Sequence, residues 1–367
     1  MNKNKILAST IINYSLNVKE RENVLINVDS NKPLSLLKEL IKEIESKKAN
    51  VEVRITDKEL EALINEKTTE TKARLLEKQY KFDVENFQNF IYIRCNENDY
   101  SDHLVSAETR KLIGKRIEKY KNIKVNERKW VLLDYPSNLD AYKNKMTYDE
   151  YMEFYYNVMC YDYKKMEKDI KPLKMLMETT DKVRITGVDT DISFSIKDMN
   201  IIPCVGTMNL PDGEIYCAPV KNSVNGVIKY NTPSPYQGNI YYGVTLTFKN
   251  GKIVEATCDN KDDEKRLNDI FSTDKGAKYV GEFSLGLNPK ILNPMGNILF
   301  DEKIIGSIHF TPGAAYKDSY NGNDSAVHWD MVLIQRPEYG GGNIYFDDVL
   351  IRKDGKFILP ELKNLNK

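Results

Sequence analysis

The chain has 367 residues, with Lys+Arg and Asp+Glu both totalling 54 and a sequence pI of about 6.9. That length exceeds what one hydrophobic core usually supports, so two domains are expected. The balanced charge gives no field of either sign to draw the chain to nucleic acid or an anionic membrane, which excludes both as expected partners.

The N-terminal stretch MNKNKILASTIINYSLNVKE has basic residues but only a short apolar run ended by Asn13, with no small-residue cleavage pattern behind it, so no signal peptide is expected. No run is long enough to span a bilayer. Cys95, Cys160, Cys204, Cys217 and Cys258 are odd in number and scattered without a C-x-x-C pair, against both a disulfide framework and a Cys-based zinc site. Buried free thiols in a reducing cytosol are the expectation, and with them a cytoplasmic protein.

Val24 to Val28 is a short β-rich apolar run, after which Asn31 and Pro33 open a helix with Leu36, Leu37, Leu40, Ile41 and Ile44 at helical spacing. Strands follow at Val51 to Ile55, Phe90 to Ile93 and Trp130 to Leu133, separated by charged, helix-compatible sequence. This βαβ pattern predicts a parallel sheet. The turn after the first strand, Asp29 to Pro33, has no glycine, and neither G-x-G-x-x-G nor G-x-x-x-x-G-K-[ST] occurs, so no Gly-rich phosphate loop is expected.

Thr147 and Glu150 form a capping box opening a long helical stretch towards Met177, which Pro172 is expected to break or kink. From Lys182 the texture turns to strands, at 183–187 and 192–196, with a hairpin at Asn250-Gly251 of the type I′ kind. The fold class expected is therefore α/β: an N-terminal parallel-sheet α/β domain over 1–180, then a β-rich α+β domain over 181–367. The charged stretch Asn260 to Arg266 is expected to be a solvated helix start.

Histidine is scarce, with three in the chain: His103, His309 and His328. His103 lies in a polar loop, Asn98 to His103, before a helix and is expected to be a surface or capping residue. His328 and Asp330 are two apart in Val327-His328-Trp329-Asp330, so on a strand both leave the same face, as a divalent-metal pair or as a hydrogen-bonded core pair. The apolar run Met331 to Ile334 would hold them rigidly. Glu214 follows a Pro-Asp-Gly turn at the start of a short apolar strand, and Glu282 is a lone acid after a glycine in a strand-like run. Either is costly to bury without a partner, which a metal or a cationic side chain would supply.

The segments NLPDGEIYCAPVKNSVNG, GEFSLGLNP, NILFDEK with GSIHFTPGAAY, and SAVHWDM, in that order across residues 209–331, resemble the thermophilic-type aminopeptidases of metallopeptidase family M29. The resemblance covers the whole chain, since that family has an N-terminal α/β domain and a C-terminal catalytic domain of this size. It implies that Glu214, Glu282, His309, His328 and Asp330 bind a pair of divalent ions, Zn, Co or similar, with one carboxylate bridging them. Glu282 is then the bridge, or the acid/base that handles the water proton. Tyr316 matches the tyrosine placed beside the metals, with the role of hydrogen-bonding the tetrahedral oxyanion. Many relatives carry His-Ile-Ala-Leu-Gly where this chain has His309 to Gly313, so Thr311 and Pro312 are expected to alter the pocket.

The activity implied is removal of the N-terminal residue from short peptides with a free amine, by a water that two metals deprotonate. No G-x-S-x-G elbow and no H-E-x-x-H helix offers another peptidase chemistry. Family members are homodimers that enclose their active sites. A rival reading makes His309, His328 and Asp330 a facial triad for one Fe(II), as in a ring-cleaving dioxygenase that resembles this family, but one iron leaves Glu214 and Glu282 without a task. A third is a noncatalytic metal- or peptide-binding protein, which would need neither Glu282 as a proton shuttle nor Tyr316 as a donor.

Overall fold

The computed structural model describes residues 2–95, 97 and 104–367. The Asn98 to His103 loop, with the reading of His103, lies outside the described residues. The chain divides into two compact units, Met1–Tyr161 with Gly206–Pro211, and Asp162–Val205 with Asp212–Lys367.

The first unit is built on a five-stranded parallel sheet. Its strands, in spatial order, are Asn50–Ile55, Asn23–Val28, Asn89–Cys95, Lys129–Tyr135 and the short Asn209–Leu210. Each run expected to be a strand is one; the inner strands are largely buried and read as continuous hydrophobic sequence, whereas the edge strand Asn50–Ile55 alternates with charged residues and stays partly exposed. Leu36, Leu37, Leu40 and Ile44 form the buried stripe of the helix Leu34–Ser46. The capping box at Thr147 and Glu150 opens the helix Tyr148–Met159 with both reciprocal hydrogen bonds present. Helical structure then continues as Tyr163–Asp169 and Lys171–Thr179, in the second unit. The stretch is interrupted twice, at Cys160–Asp162 and again at Ile170, just ahead of Pro172, which stands in the first turn of the new helix Lys171–Thr179, where a missing N–H costs nothing.

The second unit contains an eight-stranded and a five-stranded antiparallel sheet. The larger includes Lys182–Gly187 and Thr190–Ser195 and ends at the hairpin of Thr245–Lys249 and Lys252–Thr257. Asn250 (φ 50°) and Gly251 (φ 83°) both take the left-handed conformation that a two-residue type I′ turn requires. The smaller sheet runs Val332–Ile334, Ser307–Pro312, Val280–Gly286, Glu214–Cys217 and Ile202–Cys204. Asn260 to Arg266 is a largely solvated helix start, a 3₁₀ turn leading into Glu264–Phe271. The five cysteines are free, with Cys160 and Cys204 partly exposed. Among the described residues no helix is long and apolar enough to cross a membrane.

Candidate metal centre

Val280–Gly286 and Ser307–Pro312 are buried at every position. Their pairing sets Glu282 opposite Thr311 and Ser284 opposite His309, while Gly286 faces Glu214 on the next strand. Because side chains alternate along a strand, Glu282, Ser284, His309 and Thr311 share one face. Phe283 and Phe310 take the other, where they pack edge-on or tilted against Phe194 at 4.9 and 5.1 Å, and Phe310 meets Phe248 at 5.9 Å. The apolar face thus anchors the sheet to the larger one, and the opposite face carries ionisable groups held away from water.

His328 and Asp330 reach the same place by a different route. His328 forms an isolated bridge with Gly313, and Asp330 lies in irregular backbone before Val332–Ile334, so neither belongs to a regular strand as expected. The two-residue alternation survives because Trp329 points the other way. Its ring is clamped among Tyr236, Tyr241 and Phe271, with centroids 4.8, 5.3 and 5.8 Å away. Burying that indole orients its two neighbours towards Glu282.

Glu282 sits between the two histidines. One of its oxygens is 3.0 Å from His309 Nε2 and the other 3.5 Å from His328 Nε2. His309 Nε2 is also 3.5 Å from Glu214 Oε2, and His328 Nε2 is 3.3 Å from Asp330 Oδ1. Ser284 donates to Glu214 Oε2 at 3.0 Å, and Thr311 donates to Asp330 Oδ1 at 2.7 Å. The structure therefore brings together all five residues singled out as ligands. Ligand atoms of Glu282, His328 and Asp330 fall within 4.8 Å of one another, as do those of Glu214, Glu302 and His309.

Glu302 was not singled out from sequence. It follows Asp301 and precedes Lys303, a charged triplet that reads as a solvated helix end, although Lys303 is fully buried. The available signal is the apolar run Ile304 and Ile305 directly behind it, which argues against an exposed end. A third group, Cys204, Asp212 and Glu214, also has metal-compatible spacing. Burial and the nearby carboxylates push the Cys204 thiol well up, so it holds its proton in the metal-free protein.

Electrostatics follows from the burial. Burial works to lower the His309 imidazole, but the Glu282 hydrogen bond and Glu214 raise it to about 10. His328 is likewise raised to about 9, its burial outweighed chiefly by Asp330 and Glu282. Burial acts to raise the Asp330 carboxyl, yet His328, His309 and the Thr311 hydroxyl hold it well below the usual carboxylate range. Burial raises Glu282, with His309 opposing. It also pushes Glu302 up to about 8 against the pull of Lys303.

These residues fit a divalent metal. His328 Nδ1 is 2.8 Å from the Ala314 carbonyl, which can only accept, so that nitrogen carries hydrogen and the neutral ring presents its lone pair at Nε2. His328 Nε2 is buried and makes no hydrogen bond, while facing two carboxylates. Gly281 allows this arrangement, since a Cβ there would lie 2.1 Å from the Ala314 oxygen. The Tyr316 ring packs 4.7 Å from His328 and 5.8 Å from Tyr216. Burial, with Glu282 next, raises its phenol well above the usual value, so it remains a donor.

The chain is 32% identical over 166 residues to Aminopeptidase 2 of Geobacillus stearothermophilus, a match covering 40% of this chain and 37% of that protein. It is 33% identical over 128 residues to Aminopeptidase AmpS of Bacillus subtilis, covering 34% and 30%. The chain thus spans well under half the length of these curated relatives. In fold it matches wild-type AmpT from Thermus thermophilus with a TM-score of 0.78 at 16% identity, over 97% of this chain and 99% of that one. It also matches the 2,5-dihydroxypyridine dioxygenase of Pseudomonas putida KT2440, with a TM-score of 0.59 at 12% identity, over 100% and 98%. The family description that fits the sequence, thermophilic metalloprotease (M29), extends over residues 2–357. The chain belongs to the M29 family of thermophilic metalloproteases.

Proposed function

We propose that the protein is a metal-dependent aminopeptidase that removes the N-terminal residue from short peptides, with its catalytic residues in the 181–367 half. The observation that carries this reading is the Glu282 carboxylate, whose two oxygens face two histidines belonging to separate ligand groups. Glu282 would there serve two divalent ions, Zn²⁺, Co²⁺ or similar, as the carboxylate shared between them or as the acid/base beside them. Glu214, Glu302 and His309 would hold one ion, and His328 and Asp330 the other. When bound, such ions would supply Lewis acidity and would lower the pKa of bound water to roughly 7.

The chain's own residues supply the rest. As the acid/base in place of the bridge, Glu282 would take the proton released as water attacks the first peptide carbonyl and return it to the departing amine, a role that needs one carboxylate oxygen free of metal. Tyr316, half-exposed beside His328, donates to the oxygen where negative charge develops. Thr311 fixes the orientation of Asp330. In solution the protein would be a homodimer in the cytoplasm, its chamber admitting short peptides and excluding folded ones.

The test is to strip the protein with a chelator and restore Zn²⁺, Co²⁺, Mn²⁺ or Fe²⁺ in turn, measuring amino acid release from short peptides and from amino-blocked controls. Metal-restored cleavage that requires the free amine is the expected result. Unchanged hydrolysis after verified metal removal would sink the proposal. Stoichiometric metal without cleavage would favour an Fe(II) dioxygenase on His309, His328 and Asp330, or a binding protein.

A further inference from the structure

Lys303 belongs to the centre, yet the metal reading gives it no task. Its side chain is fully buried, and its Nζ is 3.0 Å from Glu214 Oε1 and in contact with Glu302. Both carboxylates belong to the Glu214/Glu302/His309 group, whose ligand atoms lie close enough to share one ion. The ammonium therefore stands among the groups that would meet a second divalent cation. Asp212 and Cys204 complete its electrostatic surroundings.

Among the described residues, the Glu282/His328/Asp330 group has no such lysine or arginine. Apart from the two histidines, its only side-chain hydrogen-bond donor among the described residues is the neutral Thr311 hydroxyl. Lys303 sets a positive charge against ligand oxygens of Glu214 and Glu302, whereas no lysine or arginine among the described residues lies against Glu282 or Asp330. In a buried site the repulsion between such an ammonium and an incoming divalent ion is not screened away by salt. An Nζ held by carboxylates on both sides has no route to solvent without leaving both unpaired.

We infer that Lys303 is a fixed internal cation that makes the two halves of the centre unequal, so that divalent ions load in order: Glu282/His328/Asp330 first and tightly, Glu214/Glu302/His309 second and more weakly. Lys303 is thus a positioning residue for metal occupancy, acting through Glu214 and Glu302. The inference rests on the metal-centre reading above and adds to it an order of filling, set by a side chain that is not a ligand.

The experiment titrates the metal-free full-length protein with Co²⁺, following heat by calorimetry and ligand-field absorption at once, at one pH. The wild type should show two steps separated by roughly tenfold or more in affinity, as repulsion from one buried ammonium implies. His328→Asn should remove the tight step and His309→Asn the weak one. Lys303→Met should tighten the second step and close the gap, while Lys303→Arg, which keeps the charge, should preserve it. Circular dichroism and thermal melting establish that each variant is folded. Should Lys303→Met not fold, the wild-type separation and the two histidine variants still decide the order. Two indistinguishable wild-type steps, a tight step lost with His309 instead of His328, or an unchanged gap in folded Lys303→Met would each overturn the inference while leaving the metal centre standing. A folded protein that takes up no Co²⁺ would overturn both.

Discussion

Metal binding should be strongly coupled to pH, because the metal-free histidines hold protons that a metal must displace. With His328 raised to about 9 and His309 to about 10, both rings are cationic at pH 7. Displacing those protons at pH 7 costs about 3 kcal/mol for His328 and about 4 kcal/mol for His309, at about 1.4 kcal/mol per pH unit. Each step should therefore gain about tenfold in apparent affinity per pH unit above 7, and level off near the relevant raised value. Calorimetry in buffers of different ionisation enthalpy should count about one proton released per histidine engaged. The sign for stability runs the other way. A histidine whose folded pKa is raised adds stability that is complete below about 6.5 and is lost as pH climbs through about 9 to 10. Glu302, raised to about 8, also favours the proton-bound fold and weakens it as pH rises. Asp330, held low, contributes instead above about 3.9 and loses that contribution in acid. The metal-free protein should thus lose melting temperature between pH 6.5 and 10 while its metal affinity rises. Binding that releases no protons and is flat from pH 7 to 9 would refute the reasoning.

Three substitutions probe separate parts of the centre. Tyr316→Phe should lower kcat by about a hundredfold or more, in the range of a lost oxyanion donor, with metal content unchanged by elemental analysis. Thr311→Val removes the hydroxyl that Asp330 accepts from at 2.7 Å, and should weaken the Asp330-side metal step by about 10- to 100-fold in the Co²⁺ titration. Gly281→Ala places a methyl 2.1 Å from the Ala314 oxygen, which must then move away from His328 Nδ1. About 1–3 kcal/mol of stability should be lost on thermal denaturation, together with the His328-side metal step.

The sequence was legible wherever a local rule governed the structure. The inner parallel strands announced themselves as unbroken apolar runs, the edge strand Asn50–Ile55 as an alternating one, and Asn250-Gly251 as a turn demanding positive φ at both positions. Glu214 and Glu282 stood out because a single acid inside an apolar strand needs a partner. The pairing of His328 with Asp330 followed from alternation, although what enforces it is the burial of Trp329 and not a strand. Glu302 and Lys303 were hidden for the opposite reason. Their burial depends on contacts remote in sequence: Glu214 lies 89 residues from Lys303, and Gly286 lets the Glu302 and Ile304 carbonyls approach. A charged triplet beside a short helix carries no local mark of that environment. Pro172 marked one of the two breaks, at Ile170, because a proline is at home in the first turn of a helix and disruptive within one, while the other break, at Cys160–Asp162, carried no such residue.

The same burial that hid Lys303 explains why the centre needs its ions. The site face buries Glu214, Glu282, His309 and Lys303 beneath a sheet whose other face is committed to the aromatic core. Without metal, the carboxylates are offset only by protons on the two histidines and by one ammonium, and each such pairing must recover the desolvation of both partners. Phe283 and Phe310, one register step from Glu282 and His309, prevent the strands from turning these groups out to water without dismantling the core. The ionisable face is therefore fixed by packing, not by its own interactions. A divalent ion that replaces the histidine protons gains the full Coulomb attraction of ligands already oriented, without the cost of assembling them. Metal affinity, its proton release and the thermal stability of the fold thus share one origin, in the alternation of two adjacent strands.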